Sequence, residues 1–356
     1  MAVQRPKTPV PCRPISLTDV AAKAGVSKMS VSRVVNQDPR VSPATLAKVN
    51  AAIKTLGFVP KSSVKDGRRR LSRSCQGMHH GRIATLIPEV NLLAIQTPLT
   101  GRLLIGIDRV MGANNLQLVV TRLPEPRILP SFLTSRQVDG AIIHFDQSEW
   151  IIDAMASVGI PAVYLFGVNL GAGSDNVNTN DAALGRLAAK HLILRGSRRL
   201  YLFDHRPNHE SFKTCDQAFK IAAIAAGIPC QTVTLAEVPP SSWPTHILGH
   251  LPDLNHAGLA TLATGHLNRV LSEIAHARST PAWTIPVVTC SHDFSPATIL
   301  PHPVTNLDIQ AELLGQSAVE ALIRRLGNRS LPGQRIIIPP LAVEIDGKGH
   351  VNAPGI

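Results

Sequence analysis

ISLTDVAAKAGVSKMSVSRVVNQDPRVSPATLAKVNAAIKTLGFVP, residues 15–60, decides how the chain is read. Apolar residues recur with helical spacing at Leu17, Val20, Ala21 and Ala24, break at Gly25, and resume at Val31, Val34 and Val35. They return at Leu46, Val49, Ile53 and Leu56 before Gly57. The pattern predicts three short helices within 17–56. Gly25 supplies the positive φ that a tight turn between helices needs, with Val26 buried behind it, and Ser27 stands where an N-cap belongs. The second helix then opens on Lys28, Met29 and Ser30. With its valines turned inward, Lys28, Met29, Ser32 and Arg33 face outward, and a helix presenting such a face can enter a major groove. Arg33 can read guanine with two hydrogen bonds, and Met29 can pack on a thymine methyl. Ser27, Ser32, Asn36, Arg40, Ser42 and Thr45 are suited to phosphates, which fix register. Ser30, with Leu17 and Thr18 at the head of the first helix, completes the expected DNA-contacting set. A plain three-helix core with a solvated polar face would explain the spacing. It would not explain why charge, turn and exposure coincide.

Working outward, the charge is uneven. The chain has 36 Lys and Arg against 24 Asp and Glu, a formal charge of +12. Residues 1–73 hold 15 of those cations and 3 of those anions, so the remainder is neutral. A short basic segment on a long neutral body suits a phosphate-binding module, because each neutralised phosphate releases counterions. Residues 1–14, with Pro6, Pro9, Pro11 and Pro14, read as a disordered basic arm, 15–60 as the DNA-binding domain and 61–80 as a hinge or linker. Lys61 and Arg69 of that linker are expected to hold phosphates, so replacing either weakens binding to all DNA alike.

Residues 81–356 form the body. Apolar runs at Ile83–Ile87, Leu116–Val120, Gly140–Ile143, Ala162–Phe166, Leu200–Phe203 and Val287–Cys290 alternate with helical patterns such as Leu103–Met111 and Leu184–Leu194. Strands apolar throughout, alternating with helices, imply parallel sheets covered on both faces, so the fold class is α/β with room for two lobes. The five cysteines, Cys12, Cys75, Cys215, Cys230 and Cys290, are odd in number and hold no CxxC pair, which argues against a disulfide framework or zinc site. No apolar run nears the roughly 20 residues of a membrane span, and the amino terminus lacks a signal-peptide core, so a soluble cytoplasmic protein is expected.

Other chemistries fare poorly. Ser291, His292 and Asp293 are consecutive, so on an extended strand they point alternately and cannot form a catalytic relay. His246, His250 and His256 share no acidic or Cys partner, and Pro252 is expected to interrupt any helix aligning them. Gly171-Ala172-Gly173 lacks the third glycine of a dinucleotide loop. No enzyme activity, cofactor or metal is expected.

The segment Leu17-x-Asp19-Val20-Ala21-x-x-Ala24-Gly25-Val26-Ser27-x-x-Ser30-Val31-Ser32-Arg33-Val34-x-Asn36, followed by Val41-Ser42 and Gly57-Phe58-x-Pro60, resembles the DNA-binding domain of the lac repressor (LacI/GalR) family. The resemblance continues more weakly along the body. Gly81–Pro88 looks like that family's first core strand, Val138–Ile143 like its second-strand signature and Gly159–Val163 like the next. Leu187–Leu192 with Gly196–Leu200 is similar to the entry into the second lobe, and Pro303-Val304-Thr305 to the segment after the last pocket strand. The resemblance implies a helix-turn-helix domain joined to a periplasmic-binding-protein-like core of two doubly wound parallel-sheet lobes. It implies base reading by Lys28, Met29 and Arg33, and a homodimer on a pseudo-palindromic double-stranded operator, with a tetramer left open. It also implies repression modulated by a small molecule, a sugar or sugar acid, between the lobes.

Two departures stand out. Gly67 occupies the place of the hinge leucine that wedges into the minor groove, with Leu71 four residues on. In the effector site, Cys215 aligns with an arginine that grips sugar hydroxyls, Thr264 and Gly265 with an Asn-Asp pair, and His292-Asp293 with an Asp-Asp pair. The expected effector-binding set is Glu89, Arg206, Lys213, Cys215, Thr264, His292 and Asp293. Its chemistry points to a different effector, or to a body that serves only for dimerisation. A sugar-metabolising enzyme with an acquired DNA-binding head is a further alternative, and it demands an acid/base pair that the sequence does not offer.

Overall fold

A computed structural model describes residues 16–35, 38, 40–56, 58, 77–88, 98–123, 128–144, 149–167, 173–204, 207–251, 256–261, 285–289, 304–345 and 351–352. The chain divides into two units, Met1–Arg70 and Leu71–Ile356. In the first, the three apolar stretches become α1 (Leu17–Ala24), α2 (Lys28–Val35) and α3 (Pro43–Leu56). The Ser16 hydroxyl accepts the Asp19 N–H at 3.3 Å and the Asp19 carboxylate accepts the Ser16 N–H at 2.7 Å, a reciprocal cap that starts α1. Gly25, at φ 65°, ends it in the left-handed region. Val20, Val31 and Val49, one from each helix and all fully buried, meet in one small core with Ala21, Val34 and Ala52. Val26 lies at the margin of that core, half-buried, where full burial is expected from the sequence.

The second unit contains two sheets. Its strands are β1 (Arg82–Pro88), β2 (Gln117–Leu123), β3 (Gly140–His144), β4 (Ala162–Leu165), β5 (Asp175–Thr179), β6 (Arg199–Asp204) and β7 (Cys230–Thr234). They continue with β8 (Ala257–Thr261), β9 (Val287–Thr289), β10 (Val304–Asp308), β11 (Arg335–Ile338), β12 (Leu341–Ile345) and β13 (Val351–Asn352). The first sheet runs β11-β5-β4-β3-β1-β2, all parallel. The second runs β13-β12-β10-β9-β8-β6-β7, parallel except for the antiparallel β12 and β13 at one edge. Strands β3 and β8 are buried at every position, as strands covered on both faces must be, whereas the edge strands β2 and β7 carry exposed residues. Val138–Ile143 leads into the third strand of the chain and not the second. Asp139 there accepts the backbone N–H groups of His79, His80 and Arg82 and so anchors the entry to β1.

The remaining helices are α4 (Pro98–Ala113), α5 (Ser131–Thr134), α6 (Glu149–Val158), α7 (Asp181–Leu194), α8 (Glu210–Ala225), α9 (Trp243–His250) and α10 (Ala311–Gly327). One core cluster runs through both lobes, taking in Leu103 and Ile107 of α4, Leu314 and Leu322 of α10, and Leu192 and Leu202 of the second lobe. Helices α4 and α10 cross at glycines. A Cβ on Gly106 would lie 2.0 Å from the Glu312 carbonyl oxygen, and one on Gly315 2.2 Å from that of Leu103.

The chain passes between the sheets three times. It leaves the first after β5 at Asn180, whose side chain caps α7 through the Ala183 N–H at 2.9 Å. It returns after β10 through Gln310, at φ 59°, into α10, which packs on β3, β4 and β5. It leaves again from β11 through Pro339 and Pro340 to β12. The three passages touch: the Asn180 N–H donates to Ile338 O at 2.9 Å and Gln310 Nε2 to Pro339 O at 2.7 Å.

Candidate nucleic-acid interface and effector region

On α2 the inward positions are Val31 and Val34, while Lys28, Met29 and Arg33 are exposed, Met29 to 65 %. Such exposure of a thioether costs hydration, about 25 cal/mol per Å² of apolar surface, that a base edge could recover. Ser27 is the N-cap: its hydroxyl accepts the Ser30 N–H at 3.1 Å and pairs with the Ser30 hydroxyl at 2.9 Å. Ser42 does the same for α3, accepting from Thr45 N at 3.3 Å with its hydroxyl 2.9 Å from that of Thr45. These four side chains therefore hold the two helix starts, beside the backbone N–H groups that attract anions. Ser32 is half-buried, as is Leu17, and Thr18 is exposed. Arg40 is engaged within the head, with Nε and Nη2 donating to the Asp38 carboxylate at 3.0 and 2.9 Å. Those bonds, with the Arg40 backbone N–H and the charge of Arg33, hold the Asp38 carboxyl down at about 2. Asp38 is the residue that sequence reasoning missed, although its carboxylate two residues before Arg40 was visible. Asn36, Lys61, Arg69, Gly67 and Leu71 lie outside the described residues.

In doubly wound sheets, ligands gather at the carboxyl ends of the strands. Here those ends carry His144 on β3, Asp204 on β6, Thr261 on β8, Thr289 on β9 and Asp308 on β10, all buried except the half-buried Asp308. Of the expected effector set, Glu89, Arg206, Thr264, His292 and Asp293 lie outside the described residues, as do Gly265 and Ser291. Lys213 is exposed on α8 and pairs with Glu210 at 2.8 Å. Cys215 is 2 % exposed, within the core cluster of Leu184, Ala188 and Phe219, where α8 crosses α7. His246 and His250 do share a helix, because α9 ends before Pro252. Their rings stack edge to face at 4.8 Å, while His256 lies beyond the end of that helix, so no single helix aligns the three histidines. Among the described residues no group of three or more His, Cys, Asp or Glu is arranged to hold a metal, and no helix is long and apolar enough to cross a membrane.

Burial pushes the His144 imidazole down from 6.5 to about 4. The unfolded chain therefore takes up a proton that the folded chain refuses between those two values, and stability is lost as pH falls through that window. Urea unfolding at pH 7 and pH 4.5 is expected to differ by roughly 2 to 3 kcal/mol from this group, a difference that His144→Asn abolishes.

Residues 16–61 match the family described as bacterial regulatory proteins, lacI family, and residues 189–344 the periplasmic binding protein-like domain. The chain is 26 % identical over 346 residues to the HTH-type transcriptional regulator CelR of Thermobifida fusca, spanning 91 % of this chain and 95 % of that one. It is 25 % identical over 352 residues to the ribose operon repressor of Escherichia coli K12, spanning 92 % and 98 %. Its fold is that of the lac repressor dimer bound to operator and the anti-inducer ONPF, with a TM-score of 0.67 at 19 % identity over 95 % of this chain and all of that one. The chain thus joins a head that matches the lacI family of bacterial regulatory proteins to a periplasmic binding protein-like body, and over nearly its whole length it is similar to named transcriptional regulators.

Proposed function

We propose that this protein is a sequence-specific transcriptional repressor, not an enzyme, acting in the cytoplasm as a homodimer on a pseudo-palindromic operator. Each subunit places α2 in one major groove, and two-fold symmetry multiplies the two half-site affinities. The observation that carries this reading is the pinning of α2: Val31 and Val34 fix its rotation in the core, so Lys28, Met29 and Arg33 can only face outward. Selection of bound duplexes from a randomised pool at moderate ionic strength tests it. A recovered two-fold consensus supports the reading, and recovery of no preferred sequence defeats it.

A small molecule held by the body modulates operator binding, through a coupling of about 1–3 kcal/mol between the two sites. Relatives named for ribose and sucrose operons point to a sugar or sugar acid. The core position of Cys215, where the family's sugar-gripping arginine aligns, favours a second reading in which the body only dimerises. Thermal unfolding of the whole chain with sugars, sugar acids and phosphates separates the two. A ligand at 100 times its Kd stabilises by about 2.7 kcal/mol, whereas a body that only dimerises gives no shift with any of them.

A further inference from the structure

Between α2 and α3, Asp38 and Arg40 are joined through one carboxylate. Asp38 Oδ1 accepts both the backbone N–H and the Nε–H of Arg40, each at 3.0 Å, while Oδ2 accepts Nη2–H at 2.9 Å. Asp38 is itself tied to the last turn of α2 by its N–H to Arg33 O at 3.0 Å, and Val41 N–H donates to Asp38 O at 3.2 Å just before the Ser42 cap. Yet the Arg40 side chain is 80 % exposed. A guanidinium has five N–H donors; this arrangement occupies the Nε–Nη2 edge, and among the described residues none accepts from Nη1.

We infer that Asp38 is a positioning residue that acts through Arg40, orienting the outer edge of the guanidinium for a phosphate while cancelling its charge, and so favours cognate over random DNA. The inference rests on the DNA-reading role of α2. Binding to random DNA is driven mostly by net charge at the backbone, and a neutral Asp38–Arg40 pair contributes little to it. In the cognate complex Arg33 and Met29 fix the register, so an oriented donor edge forms its short-range hydrogen bond without ordering a long side chain first. The carboxylate therefore weakens indiscriminate binding more than it weakens recognition.

The test uses the full chain, a consensus duplex selected from a random pool by the unaltered protein, and an unrelated duplex, across a series of salt concentrations. Asp38→Asn is expected to tighten binding to the unrelated duplex about fivefold at low salt and to steepen its salt dependence by close to one phosphate per subunit. Consensus affinity is expected to change less than about twofold, so discrimination falls, and adding Arg40→Ala removes the gain. Equal weakening on both duplexes, no change on either, or a gain that survives Arg40→Ala overturns the inference. Should Asp38→Asn fail to fold, the double variant Asp38→Ala with Arg40→Ala decides: it leaves the unrelated-duplex affinity and salt slope unchanged if the pair is neutral toward DNA, and flattens the slope by about one phosphate per subunit if Arg40 contributes its charge despite Asp38. Selection of no consensus by the unaltered protein overturns the reading beneath the inference as well, and is distinguishable because it requires no variant.

Discussion

Arg33→Ala is expected to leave a protein that still binds DNA but no longer prefers one base order. Arg33 is exposed on a helix whose rotation is fixed by the fully buried Val31 and the nearly buried Val34, so its fork has few places to go besides a base edge. A bidentate contact to guanine discriminates by about 1–3 kcal/mol, and a two-fold dimer makes it twice, so the ratio of consensus to random affinity should fall by about a hundredfold or more. Loss of the positive charge weakens random binding too, but only by about one phosphate's share per subunit. The measurement is that ratio at fixed salt. Arg33→Lys keeps the charge without the fork, so it should restore random affinity and leave discrimination low. Equal loss on both duplexes for Arg33→Ala would refute the assignment.

A Cβ on Gly315 is expected to do the greatest damage to stability. Added there, it would lie 2.2 Å from Leu103 O and 3.1 Å from Ile107 N, and the clash is with backbone that no rotamer change relieves. Helices α4 and α10 would have to separate, opening the seam in which Leu103, Ile107, Leu314, Ala318 and Leu322 are all fully buried. Gly315→Ala gains up to about 1 kcal/mol of helix propensity, and overpacking should outweigh it by at least about 2 kcal/mol net, with Gly315→Val preventing the body from folding. Gly101 on the same α4 has nothing within 4 Å of its missing Cβ, so Gly101→Ala should be neutral or stabilising. Urea midpoints for the two alanine variants, compared side by side, check the claim; similar midpoints would show that the helices do not cross as closely as described.

The three helices of the head were legible because each has an apolar stripe and a stop signal within its own few residues. The same holds for β1, β3, β4 and β6, whose burial on both faces makes them read as continuous apolar runs. Strands β5 (DNVNT) and β10 (VTNLD) were not legible, since their side chains are satisfied from far along the chain. Asp175 meets Arg325 Nε at 2.6 Å and Nη2 at 3.0 Å, and Asp308 meets Arg102 at 2.9 and 3.1 Å. No local pattern announces a partner so distant. In the head, the outward residues of α2 followed from helical geometry, but the occupation of Arg40 by Asp38 depends on how the intervening turn folds. Cys215 shows the opposite limit: alignment located the position, and only the crossing of α7 and α8 shows that it is core.

Because the polypeptide shuttles between its sheets at Asn180, Gln310 and Pro339, neither lobe corresponds to an unbroken stretch of gene. A fragment stopping after β10 would keep the second sheet's parallel strands yet strip α10 and β11 from the first, leaving β5 as a raw edge and α4 without its mate. Recombination among relatives can therefore graft the head as a single block, whereas exchanging one lobe requires several splices made in concert.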